Sequence, residues 1–391
     1  MPQPARIYLD NAATSWPKPE SVYAAVDRYQ RHLGAPAGRS SYREAVEVER
    51  LVADARRRAA DLLYAEEPCR VVFAANATDA LNLALHGAVQ PGDHVITSVA
   101  EHNSVLRPLR FLEENRGIAV SRVACDGQGF VDPDDIRRAL RPETRLIALI
   151  HASNVTGAIQ PVAEVGRIAR EHGLLYLVDA AQSLGHVELD VRQIGAHLLA
   201  AAGHKGLLGP LGVGLLYIAP GVEARLEPLR QGGTGTRSDE DRQPPSLPDR
   251  YEAGNHNVPG IVGLGAGLTF LAERGVARIR QHQMQLTARL LEGLRVIAGV
   301  TLFGPADLAR RLGVVSMTVR GYDSQELAVL LDAAYHIQTR AGLHCAPRMH
   351  QALGTAAAGG TVRFSPGAFN TLEEMDAAIQ AVGEILAAKL H

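Results

Sequence analysis

Short apolar or β-branched runs alternate with helix-length segments from about residue 71 to residue 218, and no other feature narrows the folds open to this chain as much. The runs at 71–75, 94–98, 145–151, 174–179 and 212–218 read as strands, and residues 119–124 form another strand-like run. Segments 77–88, 132–140 and 161–172 read as helices, the last opening on Pro161 and stopping before Gly173. Repeated strand–helix units place crossover helices over a mostly parallel sheet, so the expected class is α/β with a central sheet flanked by helices. Ligands of such sheets bind outside the carboxyl ends of the strands.

Residues 232–249 break this pattern with Gly-Gly-Thr-Gly-Thr and an acidic, proline-rich stretch, which reads as a loop. Residues 258–273 and 276–298 then read as helices, the second long enough to link two units. The tail gives a strand at 314–319, a helix at 324–334, a loop around Cys345, a strand at 360–365 and a helix at 372–388. A chain of 391 residues exceeds what one compact core organises. We expect a large α/β domain over 16–275 and a smaller α+β domain built from 1–15 and 276–391, carrying the Cys345 loop and Arg363.

Charge and composition exclude several function classes. A net charge of −2 lacks the basic excess that nucleic-acid or membrane surfaces require. No stretch approaches the roughly 18 apolar residues of a membrane span, and Met1-Pro-Gln-Pro4 lacks the apolar core of a signal peptide, so a cytoplasmic protein is expected. The three cysteines, Cys69, Cys125 and Cys345, show no CxxC spacing and make no disulfide framework. Cys69 and Cys125 adjoin strand-like runs and read as core or strand-edge residues. Cys345 lies in Arg340-Ala-Gly-Leu-His344-Cys345-Ala-Pro347, among residues that carry or can carry positive charge, a setting that favours a thiolate. His344, Cys345 and His350 offer no second ligand pair for zinc, and no metal is expected.

Lys205, in Ala202-Gly203-His204-Lys205-Gly206, and Asp179, closing the run at 174–179, point to a cofactor. A buried lysine is costly unless its charge is removed or used, and covalent attachment to an aldehyde cofactor does both. An aspartate at the carboxyl end of a parallel strand suits a protonated pyridine nitrogen. With Gln182 and His204 beside them, the pair suggests pyridoxal phosphate. Asn76-Ala77-Thr78 follows a strand and opens a helix, where the first free amides and Thr78 form an anion site or simply cap the helix. His102, after Glu101, is placed to lie over a flat ring, Asn154 to bond a cofactor or substrate group, and Arg363 to hold a carboxylate or enter a structural ion pair. Gly263-Leu-Gly-Ala-Gly267 superficially matches a dinucleotide loop, but lies in a helical pattern and is better explained by helix packing.

Taken together these segments resemble the cysteine desulfurase and selenocysteine lyase group of the class V aminotransferase-like, fold-type I pyridoxal phosphate enzymes. The matching runs are Tyr8-Leu-Asp-Asn-Ala-Ala-Thr14, Asn76-Ala-Thr78, Glu101-His102-Asn103, Ser153-Asn154-Val155 with Gly157, Asp179-Ala-Ala-Gln182, Gly203-His-Lys205, Tyr251-Glu-Ala-Gly254, the Cys345 segment and Phe369-Asn-Thr371. The resemblance implies that Lys205 bears the cofactor, Asp179 pairs with its pyridinium nitrogen and Gln182 bonds its phenolic oxygen. It gives His102 a ring-stacking and proton-transfer role, and Ala77, Thr78, His204 and Asn255 places around the cofactor. Asn154, Arg340 and Arg363 would orient L-cysteine, and Cys345 would take its sulfur as a persulfide for a protein or small-thiol acceptor. It also implies a homodimer, and its short His-Cys-Ala loop is that of the branch without the long cysteine loop. Ala202 and Asn255 stand where the family often has hydroxyl residues reaching the phosphate, a loss worth roughly 1.5–3 kcal/mol per contact to a charged acceptor. Selenocysteine lyase chemistry, another C–S lyase reaction, or a weakly catalytic scaffold on the same fold are the alternatives the sequence leaves open.

Overall fold

The computed structural model describes residues 6–38 and 40–388. The first four residues, on which the signal-peptide expectation rests, lie outside the described residues. A short strand β1 (Ile7–Tyr8) precedes helices α1 (Glu20–Arg28) and α2 (Arg43–Leu62). Then come β2 (Val71–Ala74), α3 (Ala77–Ala88), β3 (His94–Ser98), α4 (Asn103–Arg116), β4 (Ala119–Val123), α5 (Pro133–Arg138), β5 (Thr144–Ile150), α6 (Val162–Glu171), β6 (Leu175–Asp179), α7 (Val191–Ile194), β7 (Leu198–Ala202) and β8 (Gly214–Ile218). Helices α8 (Val258–Arg274) and α9 (Val276–Arg295) follow, and then β9 (Val300–Phe303), β10 (Val315–Val319), α10 (Ser324–Tyr335), β11 (Ile337–Gln338), β12 (Arg340–Gly342), α11 (Pro347–Ala352), β13 (Thr361–Phe364) and α12 (Leu372–Ala388).

Seven strands form the central sheet in the order β2-β8-β7-β6-β5-β3-β4. All are parallel except β8, which runs antiparallel to both β2 and β7. Both faces of the sheet are covered. Along β6, Tyr176 and Val178 enter one core cluster while Leu175 and Leu177 enter the other, and Leu199 and Ala201 alternate with Leu198 and Ala200 along β7 in the same way. Burial on both faces is why these strands read as continuous apolar runs without polar alternation. A second, antiparallel sheet of order β12-β13-β10-β9 shares a separate core with α9 and α12. Leu9 belongs to that core as well, and β1 pairs in parallel with β11.

The glycines of α8 are packing residues. A Cβ at Gly263 would meet Pro210 and Val26, and one at Gly267 would come within 2.5 Å of the Leu207 carbonyl. Gly214 serves the site directly, since a Cβ there would stand 2.3 Å from the Asn76 carbonyl carbon. Its absence lets the start of α3 sit against β8 at the same sheet edge as the other strand ends.

Glu252 gives the Tyr251-Glu-Ala-Gly254 motif a structural meaning. Its carboxylate takes two hydrogen bonds from the buried Arg56 guanidinium, at 2.6 and 2.8 Å, and one from the Phe73 amide at 2.6 Å. Removing one partner strands the other as an uncompensated buried charge. Glu252→Ala is expected to lower stability by about 3–5 kcal/mol, read as a shift of the urea midpoint at unchanged slope; a loss too small to resolve would contradict the role given to this pair.

Candidate active site

The carboxyl ends of β2, β3, β5, β6 and β7 converge on one side of the sheet. Asp179 is the last residue of β6 and is 3% exposed. It pairs in register with Ala200 of β7, and β7 ends two residues later, leading through Gly203 and His204 to Lys205. An inner chamber of about 200 Å³ is lined by Ala77, Thr78, His102, Asn154, Asp179, Gln182, His204 and Lys205, together with Ala202. The sequence scattered these residues over about 130 positions; parallel strand order gathers them.

Each wall has a local cause. Asn76 caps α3 by accepting the Asp79 amide, leaving the Ala77 and Thr78 amides at the head of the helix. His102 caps α4, with Nδ1 accepting the Ser104 amide at 3.1 Å. That contact leaves the ring proton on Nε2. Ser104 Oγ also lies 2.8 Å from the same nitrogen and 2.7 Å from Thr78 Oγ1, so one hydroxyl ties the heads of α3 and α4 together. The turn before Lys205 is tethered through the His204 carbonyl, which accepts from the Ser15 amide and from Lys18 Nζ at 2.9 Å.

A second cavity of about 540 Å³ lies outside the first and shares Thr78, His102 and Ser104 with it. Cys345 lines this outer groove. It sits in a turn of residues 343–346, closed by the Ala346 amide donating to the Leu343 carbonyl, in which both central residues, His344 and Cys345, have positive φ (47° and 59°). Side chains other than glycine pay strain there, and the turn persists because its surroundings hold it. The Asn103 amide donates to the Cys345 carbonyl at 2.7 Å, and Asn154 Nδ2 donates to the His344 carbonyl at 2.7 Å. Arg340 brings its guanidinium to 3.3 Å from Cys345 Sγ.

Burial sets the charge states. Desolvation pushes the Lys205 ammonium down to about 8, with Asp179 as the main opposing influence, and the same desolvation raises the Asp179 carboxyl. His102 is pushed down to about 4 by desolvation, reinforced by Lys205, Arg340, Arg107 and Arg363, so it is neutral at physiological pH. His344 corrects the expectation that two cationic neighbours flank Cys345. It is 2% exposed, its Nε2 engages Thr361 Oγ1 at 3.0 Å, and burial takes its ring down to about 2. Among the described residues Arg340 makes the direct cationic contact with the thiol, and Lys205 and Arg363 act on it from farther away.

Two expected contacts are engaged differently. Gln182 Nε2 donates to the Ala12 carbonyl at 2.9 Å. Arg363, 1% exposed, donates to Asp10 Oδ1 at 2.6 Å and to the Asn154 carbonyl at 3.1 Å, so the structural ion pair weighed against a substrate role is present. Asn255 is not in the chamber; it lines a separate cavity with Arg230, Tyr251 and His256. Cys69 stands in the turn Pro68–Arg70 that leads into β2, and Cys125 follows β4 with its sulfur 4.0 Å from Met349 Sδ.

Sequence reasoning gave no role to Ser104, Lys18 or Glu101. Glu101 is fully buried, accepts from Ser98 Oγ at 2.6 Å and from the Ile150 amide at 3.1 Å, and is driven up to about 8 by desolvation. Ile150 is the strand partner of Asp179, so this carboxyl backs the Asp179 strand end from below. Ser104 had a readable signal, a hydroxyl two residues after His102 at a helix start; Lys18 and Glu101 had none without the tertiary contacts.

The residues present fit pyridoxal phosphate. Lys205 is a poised amine, Asp179 is a carboxyl group at a strand end, the α3 head offers amides to a phosphate, and Asn154 Oδ1 and His204 Nδ1 are buried without hydrogen-bond partners among the described residues. In cofactor-free protein, reductive methylation of Lys205 followed by NMR is expected to titrate near pH 8, and Asp179→Asn to lower that midpoint because it removes the anion that raises it. A midpoint near 10.5, the value of an unperturbed lysine, would contradict the electrostatics assigned to the chamber.

Comparison with known proteins agrees with this geometry. The aminotransferase class-V family model matches residues 7–378. A probable cysteine desulfurase of Methanothermobacter thermautotrophicus is 39% identical over 97% of this chain and 94% of its own length, and the cysteine desulfurase IscS of Methanosarcina thermophila is 34% identical over 97% and 92%. The apo structure of the cysteine desulfurase from Thermococcus onnurineus NA1 superposes with a TM-score of 0.92 at 34% identity, covering 98% of this chain and 95% of that one. CsdA of Escherichia coli, also a cysteine desulfurase, gives 0.89 at 30% identity, covering 99% and 96%. With matches of this identity running end to end over a fold-type I architecture, the chain belongs to the class V aminotransferase family, within its pyridoxal phosphate-dependent cysteine desulfurase group.

Proposed function

We propose that this chain desulfurates L-cysteine to L-alanine and that Cys345 receives the sulfur as an enzyme-bound persulfide. The observation that carries the reading is the position of Cys345, lining the outer groove at the wall shared with the Lys205 chamber, with the Arg340 guanidinium 3.3 Å from its sulfur. When bound, pyridoxal phosphate supplies an electron sink at the substrate's α-carbon. Lys205, with a titration near 8, exchanges protons there at little cost around neutral pH. Neutral His102 presents its Nε2 proton while Ser104 fixes the ring through Nδ1. Arg363, held by Asp10, and Asn154 orient the amino acid's polar groups.

The Cys345 thiolate forms the new S–S bond as the substrate's carbon–sulfur bond breaks. The bonding pair stays with the three-carbon fragment, which takes up protons and leaves as alanine. The Arg340 guanidinium stays beside the sulfur through the step, able to donate a hydrogen bond to it. A reduced thiol at Cys345 is a requirement of this chemistry, which supports the cytoplasm as its location.

We further propose a homodimer in which residues 232–236 and Asn255 complete the neighbouring subunit's cofactor site. In support, both are solvent-facing here and Asn255 lines a cavity that shares no residue with the inner chamber. Static light scattering is expected to give twice the chain mass, and a fully active monomer would contradict it.

Cys345→Ser tests the central step. It is expected to keep cofactor binding, read as borohydride-trapped label on Lys205, and to lose cysteine desulfuration by on the order of 100-fold or more, the scale on which single catalytic groups act. Desulfuration at the wild-type rate would move the protein to a lyase that does not use the thiol.

A further inference from the structure

Desulfuration of a small amino acid leaves the outer groove unexplained. Its volume of about 540 Å³ lies within the range of small-molecule sites, about 300–1,000 Å³. It runs between α3 and α4 from Cys345 past Arg107 to His86 and Phe111, whose rings lie 5.7 Å apart and make an apolar wall. Among the described residues no Asp or Glu lines it. Arg107 is exposed and, among the described residues, enters no ion pair. The charged groups acting on His102, at the inner end of the groove, are Lys205, Arg340, Arg107 and Arg363, all cations. Cys345 lines the groove and not the inner chamber, so the groove is the side from which a persulfide on Cys345 is reached.

We infer that this groove admits the sulfur acceptor and selects a small anionic thiol, one carrying a carboxylate or sulfonate near its sulfur, through Arg107. This rests on the reading of Cys345 as persulfide carrier. The acceptor thiol loses its proton to solvent, and its thiolate attacks the outer sulfur of the persulfide. The S–S bond to Cys345 breaks, its electron pair returns to Sγ beside Arg340, and the acceptor leaves as its own persulfide. Nothing is oxidised or reduced overall, and the enzyme is restored. Arg107 draws the acceptor's anionic group to the open end of the groove, and the apolar wall packs against its carbon chain.

The test separates loading from discharge. Holoenzyme is loaded with cysteine, freed of excess substrate, and the persulfide on Cys345 is quantified by mass spectrometry. Its discharge is then followed with mercaptoethanesulfonate, mercaptoethanol and cysteamine at matched thiolate concentration. The anionic thiol is expected to discharge it about tenfold faster than the neutral one, an advantage that weakens with salt as an exposed charge contact must, and cysteamine should be slowest. Arg107→Ala should abolish the anionic advantage and Arg107→Glu invert it, with loading and the KM for cysteine unchanged. Failure of Cys345 to load defeats the persulfide reading itself. Normal loading followed by charge-blind discharge, or by no discharge with any of the three thiols, overturns the groove assignment alone. A raised cysteine KM in Arg107→Ala with unaltered discharge would assign Arg107 to substrate capture and equally overturn it.

Discussion

The juxtaposition of Asp179 and Lys205 at the ends of two adjacent parallel strands is the constraint on which the rest of the site depends. β6 delivers a carboxylate with 3% exposure, and β7 delivers a lysine three residues past its own end. Neither charge is comfortable alone in that setting. Burial lowers the lysine's titration to about 8 against the opposing pull of Asp179, and the pair leaves a carboxyl group at the strand end for a pyridinium nitrogen. The apolar strands beneath are buried on both faces, so the two groups are held by a rigid support. The fully buried Glu101 stiffens it further from the backbone of Ile150.

The site works as two compartments with a common wall. Thr78, Ser104 and His102 form that wall through hydrogen bonds that join two helix heads. Cys345 stands on its outer side in a left-handed turn that pays backbone strain for its position; Asn103 of the outer groove holds the Cys345 carbonyl, and Asn154 of the inner compartment holds the His344 carbonyl. Such a tip presents a sulfur at a fixed height without closing the chamber. The four-residue turn gives it little slack, which suits the role proposed for this thiol, to meet the substrate's sulfur at one place and be relieved of it at another.

Much of this was legible in the chain. Strand ends at Asp179 and Ser98 follow from apolar runs, β2 stops at Ala74, one residue short of its expected end, and α3 and α12 fall at their expected residues because caps and flanking breaks mark them. Other features were not. β7 and α7 lie in the segment between β6 and Gly203 without boundaries that mark them apart, and the reversed direction of β8 has no signature in a run buried on both faces. α1, α2 and α4 escaped notice, α4 because Pro108 sits inside it. At the site, the motif residues were found but their contacts were not. Arg363 meets Asp10 across 353 positions of sequence, Gln182 meets Ala12, and the charge expected of His344 is removed by packing against Thr361. Residue type announces a chemistry; only the fold decides whether the group is charged and whether its hydrogen bonds are free.

The account holds that every sulfur leaving cysteine passes through one thiol. A rapid-quench single turnover of wild-type holoenzyme, without acceptor, tests this most directly by counting alanine, Cys345 persulfide and free sulfide in the same sample. The account predicts that alanine and Cys345 persulfide rise together in equal amounts while sulfide stays at background. Alanine formed with an equal release of sulfide and an unmodified Cys345 would contradict it.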